Sequence, residues 1–99
     1  MGNLFFDKQP DEEFIISVEF TDRMTTGETI ASNTVTAVNI STGADATDDV
    51  FDYATITGQF LYIRVLGGTS GISYKMTITI TTSTGNILEE EVVIHVLNE

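Results

Sequence analysis

The stretch Phe60-Leu61-Tyr62-Ile63-Arg64-Val65-Leu66-Gly67-Gly68-Thr69-Ser70-Gly71-Ile72-Ser73-Tyr74-Lys75-Met76-Thr77-Ile78-Thr79-Ile80-Thr81-Thr82 decides the fold. In its second half Tyr74, Met76, Ile78 and Ile80 share one parity while Lys75, Thr77, Thr79 and Thr81 share the other. That is the period-two pattern of a strand with one buried face. In its first half, residues 60–66 form an apolar run broken only by Arg64. Such a run suits a strand covered on one face and partly on the other, and both parities remain open as the inward one. Gly67, Gly68 and Gly71 between the halves supply the positive φ that a tight corner needs. Downstream, Ser83, Thr84, Gly85 and Asn86 read as a second turn, and the chain returns through Leu88, Val92, Ile94 and Val96. A long antiparallel hairpin is expected. Glu90 has the parity of Leu88 and Val92, so it lies beyond the end of the core, sits at a bulge, or marks a reversed face.

Working outward, Phe14, Ile16, Val18 and Phe20 alternate with Glu13, Ser17 and Glu19, which predicts a half-buried strand. Residues 30–41 alternate less well. Ile30, Val38 and Ile40 fall on one parity and Ala31, Val35 and Ala37 on the other, so a bulge or bend is expected near Thr36. Residues 41–52 are small and acidic without a period and read as a long exposed loop, followed by a short strand at Thr55 and Ile56. Residues 1–12 read as an N-terminal arm leading into a sandwich domain over 13–99. In that arm Leu4, Phe5 and Phe6 either fold back on the domain or bind a neighbouring subunit, because three large apolar side chains are poorly left in water.

Composition narrows the function classes. Four basic residues against fifteen acidic ones give a net charge of −11, which repels phosphate backbones and anionic lipid. Nucleic acid and membrane are not expected partners. No apolar run approaches the roughly 20 residues of a membrane helix, and the first residues lack the basic and apolar regions of an export signal. The absence of cysteine rules out disulfides and thiolate zinc sites, which favours an intracellular birthplace. Sixteen threonines, many alternating with Ile, Val, Tyr or Met, suit pleated strands better than helices. The fold class read from these features is all-β, an immunoglobulin-like antiparallel β-sandwich of about seven strands.

The order of strand, Gly67-Gly68-Thr69-Ser70-Gly71, Ile72-Ser73-Tyr74, threonine-alternating strand, Thr82-Ser83-Thr84-Gly85 and acidic closing strand resembles the small immunoglobulin-like proteins of tailed bacteriophages and prophages labelled fiber-tail adaptor proteins. The stretch Phe14-Ile15-Ile16-Ser17-Val18-Glu19-Phe20-Thr21-Asp22 followed by Gly27-Glu28-Thr29-Ile30-Ala31-Ser32 is similar to that family's first strand and the turn into its second. The sequence departs from the pattern at residues 34–38, which lack a large aromatic, and in the Asp-rich loop at 45–52. The resemblance implies a virion protein, made in the host cytoplasm, that binds other virion proteins and has no cofactor.

The residues themselves offer few chemical constellations. Tyr74, just after a glycine turn and opening a late strand, fits a tyrosine corner in which its hydroxyl bonds to nearby backbone. Gly67, Gly68, Gly71, Tyr74 and Gly85 are therefore the expected structural positions. Asp45, Asp48, Asp49 and Asp52 form a weak calcium candidate without the ligand order of an EF-hand, and a solvated loop is the favoured reading. Glu89 and Glu91 share a face, but glycosidase chemistry needs opposed carboxylates across a cleft, and edge-strand charge is the better reading. His95 is the sole histidine, and Gly-x-Ser-x-Gly and Gly-Lys-Ser/Thr motifs are absent. No catalytic residues are assigned, and the chain is expected not to be an enzyme. Leu4, Phe5, Phe6, Val93 and Leu97 are the expected partner-binding residues. The alternative is a bacterial surface or carbohydrate-binding module that would display Tyr53, Phe60 and Tyr62.

Overall fold

The fold was obtained as a computed structural model that describes residues 3–97, the side chains of Asn3, Leu4 and Asp22 excepted. Seven strands run in chain order: β1 Asn3–Lys8, β2 Phe14–Glu19, β3 Ile30–Asn39, β4 Phe51–Thr57, β5 Phe60–Val65, β6 Ser73–Thr82 and β7 Ile87–Val96. A 3-10 turn, Thr21–Arg23, follows β2, and one helical turn, α1 Thr47–Val50, precedes β4. The strands form two sheets, ordered β1-β7-β6-β3 and β2-β5-β4. The second, fifth and fourth strands in one sheet face the first, seventh, sixth and third in the other, so the domain is a two-sheet β-sandwich.

The core lies between the sheets. Ile16 and Val18 of β2 and Leu61, Ile63 and Val65 of β5 meet Met76, Ile78 and Ile80 of β6 and Val92, Ile94 and Val96 of β7, all buried. Each such side chain contributes about 1.5–3 kcal/mol when fully removed from water. The facing of 60–66 is thereby fixed: Leu61, Ile63 and Val65 point inward, while Phe60, Tyr62 and Arg64 point out. The hairpin expected from the sequence is β6 and β7, in unbroken antiparallel register from Ser73↔His95 to Thr81↔Ile87.

Three details differ from the sequence reading. One strand pair is not antiparallel, since β1 runs parallel to β7 from Asn3↔Glu91 to Lys8↔Val96. Of the two fates open to the N-terminal arm, folding back is the one the structure takes, and residues 3–8 become an edge strand of the four-stranded sheet. The irregularity in β3 is not near Thr36. It lies between Ile30 and Ser32, after which odd positions such as Val35 and Ala37 turn inward and Val38 turns out. Finally, the stretch read as loop over 41–52 contains α1 and the start of β4. Ala46 and Val50 are buried and pull this acidic segment down onto the core.

Candidate functional site

The corner between β5 and β6 is held by several independent contacts. The Thr69 N–H donates to the Tyr74 hydroxyl at 2.9 Å, so Tyr74 forms a tyrosine corner at the start of the sixth strand. Two residues on, where antibody domains carry a disulfide cysteine, Met76 fills the core. Gly67 has φ +60, and a Cβ there would collide with the Asp49 carbonyl oxygen. Gly68 sits against Val96, Tyr74 and Val50 in the same crowded space.

Lys8 closes this corner from the other side. It is 2% exposed, and its ammonium donates to the carbonyl oxygens of Gln9 at 2.6 Å, Pro10 at 3.1 Å and Gly67 at 2.6 Å. All three ammonium protons therefore find acceptors, as a buried cation requires. Burial pushes its pKa below the usual lysine value, opposed by the negative charges of Glu12, Asp11 and Glu13.

At the opposite end of the sandwich Glu28 plays the matching role with a negative charge. Its carboxylate accepts from the hydroxyls of Thr82 and Thr84, from the Thr25 N–H at 3.0 Å and from the Asn86 side-chain amide at 3.1 Å. The hydroxyl bonds of Thr82 and Thr84, followed by the Thr25 amide, hold its pKa at about 2. The Gln59 amide donates to the Glu28 carbonyl at 2.9 Å, joining the β4–β5 turn to the same knot. A shallow groove of about 360 Å³ runs beside it, lined by Thr21, Met24, Thr26, Gly27, Glu28, Thr29 and Gln59.

Glu90 also lies at this end. It shares the inward parity of Leu88 and Val92 but stands where the core opens, and Arg23 covers it at 3.4 Å. The same guanidinium bonds the Glu89 carbonyl at 3.0 Å and lies 5.0 Å from the Phe20 ring centroid. Arg64 pairs with Glu13 at 2.9 Å and Asp52 at 3.8 Å, and Lys75 with Glu91 at 3.6 Å. With Lys8 on carbonyls, all four basic side chains are committed inside the domain.

The weak calcium candidate does not assemble. Asp45 Oδ1 accepts from the Thr47 hydroxyl at 2.7 Å, which lowers its pKa, and Asp52 turns to Arg64. Among the described residues no three metal-ligating side chains converge. His95 is exposed, with Asp7 at 3.9 Å.

The residues expected to bind partners fall in different places. Phe5 and Val93 are register neighbours on the outer face of the four-stranded sheet, and Phe5 is 71% exposed. Phe6 turns the other way and packs half-buried on the core. Leu97 is half-buried beyond β7, its N–H bonding the Lys8 carbonyl at 2.7 Å. The Leu4 side chain lies outside the described residues. Phe60 and Tyr62 stack on the outer face of the three-stranded sheet with centroids 6.2 Å apart, while Tyr53 stands across from Arg64.

The family described as podophage GP4 fiber-tail adaptor protein gp77 matches residues 8–95. The chain belongs to this family. The matched region of the adaptor fold begins at Lys8 and reaches His95, so it includes the Lys8 anchor, the Glu28 knot and the Tyr74 corner. Membership makes the chain a phage structural protein. No curated protein matches it.

Proposed function

We infer that this protein is a non-catalytic, immunoglobulin-like interaction module of the phage or prophage tail, joining a fibre to the tail through protein contacts. The observation that carries this reading is the adaptor-family match over residues 8–95, which spans β2 to nearly the end of β7. The geometry supports it by giving three of the chain's carboxylates structural work: Glu28 ties a turn to a hairpin tip, Asp45 braces α1, and Glu90 meets Arg23. Exposed Phe5, Ile15, Ile40, Tyr53 and Ile87 leave apolar contact surface on both sheets.

The partners in this reading are other virion proteins, met in the host cytoplasm during assembly and kept in the particle. Because the four cations are internally engaged and the net charge is −11, nucleic acid and anionic membrane are not among them. The test is binding of the purified chain to each tail and fibre protein encoded beside it. A stable complex with at least one is expected, and failure to bind any would overturn the reading.

A further inference from the structure

We propose that the open edge of β2 is a strand-addition site, taking an extended segment of another virion protein as a fourth strand of the three-stranded sheet. The proposal rests on the interaction-module reading and names the surface that does the binding.

Its first support is the mismatch between four strands and three. β3 and β4 approach each other at one side of the sandwich. Counting from there, β5 faces β6, β2 faces β7, and among the described residues β1 has no strand opposite. The inward residues reflect this. Val92, Ile94 and Val96 of β7 are completely buried, whereas Phe6 of β1 and Phe14 of β2 remain half-exposed at the rim of the core. A strand added beside β2 would lie over Phe6 and complete that cover.

Its second support is a comparison of the four sheet edges, since native edges are ordinarily guarded. On β3 the backbone groups of Ala37 and Asn39 are already taken by Ala46, Thr47 and Ala44, and the strand carries an irregularity after Ile30. The register of β4 shifts between Phe51 and Tyr53. β1 turns a cation, Lys8, inward. β2 has none of these devices: its six residues run in unbroken register with β5, and Ile15 is 53% exposed. The Phe20 N–H donates to the Gln59 carbonyl on the β5 side. By alternation, the N–H and C=O groups of Ile15, Ser17 and Glu19 point to the open edge.

Charge sets the occupant. Glu13 is already paired with Arg64, but Glu19 ends β2 with an exposed carboxylate, and Asp11 and Glu12 lie in the turn that enters the strand. The complementary segment has alternate apolar residues toward Phe6 and Phe14 and Lys or Arg at its ends.

The test uses the tail and fibre proteins encoded with this chain, each mixed with the full-length protein and followed by amide hydrogen exchange. On binding, the Ile15, Ser17 and Glu19 amides should become protected. Ser17→Pro, which removes an outward N–H, should weaken the same complex about tenfold or more, whereas Ile87→Ser on the other sheet should not. Binding that leaves these three amides unprotected would overturn the edge assignment while the interaction-module reading stands. Binding to none of the proteins would overturn both. Protection that appears in the protein alone as its concentration rises would assign the edge to a second copy and overturn the heterologous partner.

Discussion

Thr69 and Tyr74 are joined by a backbone-to-hydroxyl hydrogen bond of 2.9 Å across the β5–β6 corner. Tyr74→Phe keeps the buried ring and removes only the acceptor. A loss of about 1 kcal/mol is expected, read as a lower urea midpoint with an unchanged denaturant slope. A midpoint equal to the parent's would mean the bond contributes nothing to the corner.

Gly67 and Gly85 both have positive φ, yet their surroundings differ. A Cβ at Gly85 meets nothing, whereas one at Gly67 meets the Asp49 carbonyl. Gly85→Ala should therefore cost only the left-handed backbone penalty, about 1–2 kcal/mol, and Gly67→Ala distinctly more. Thermal unfolding of the two variants checks the order, and equal melting temperatures would contradict it.

Glu28 makes stability depend on acid in a defined window. Its folded pKa of about 2 lies below its ordinary value of 4.5. A depressed carboxylate contributes fully above the unfolded pKa and loses that contribution as pH falls toward the folded one. Stability should thus decline between pH 4.5 and 2 more steeply in the parent than in Glu28→Gln. Urea midpoints across that range are the measurement, and parallel curves for the two proteins would refute the role.

Lys8→Met keeps the stem and deletes the ammonium, leaving the carbonyls of Gln9, Pro10 and Gly67 without their donor. The expected cost is about 1–3 kcal/mol, with faster hydrogen exchange at the Leu97 amide, which bonds the Lys8 carbonyl. Unchanged exchange there would show that β1 is held by its pairing alone.

The sandwich was legible where side chains alternate cleanly. Tyr74 to Thr81 declares its faces because threonine and the apolar residues never exchange parity there, and the return strand follows through Val92, Ile94 and Val96, among which Val93 is the one aliphatic residue turned outward. Residues 60–66 hid theirs because both parities carry large apolar side chains, and only packing against β6 and β7 of the other sheet decides which set is covered. The acidic stretch hid α1 because the burial of Ala46 and Val50 depends on distant strands. The two buried charges were the least visible. Lys8 bonds backbone carbonyls, one of them 59 residues away, which no residue type announces. Glu28 left a faint signal in the hydroxyl and amide groups at Thr82, Thr84 and Asn86, but its partners lie 54 to 58 residues downstream.

Whether this domain joins fibre to tail is read most directly by electron cryomicroscopy of the intact phage particle. Density for the seven-stranded sandwich is expected at the fibre–tail junction, with a neighbouring protein's strand beside β2. Particles that lack the domain, or carry it away from both fibre and tail, would contradict it.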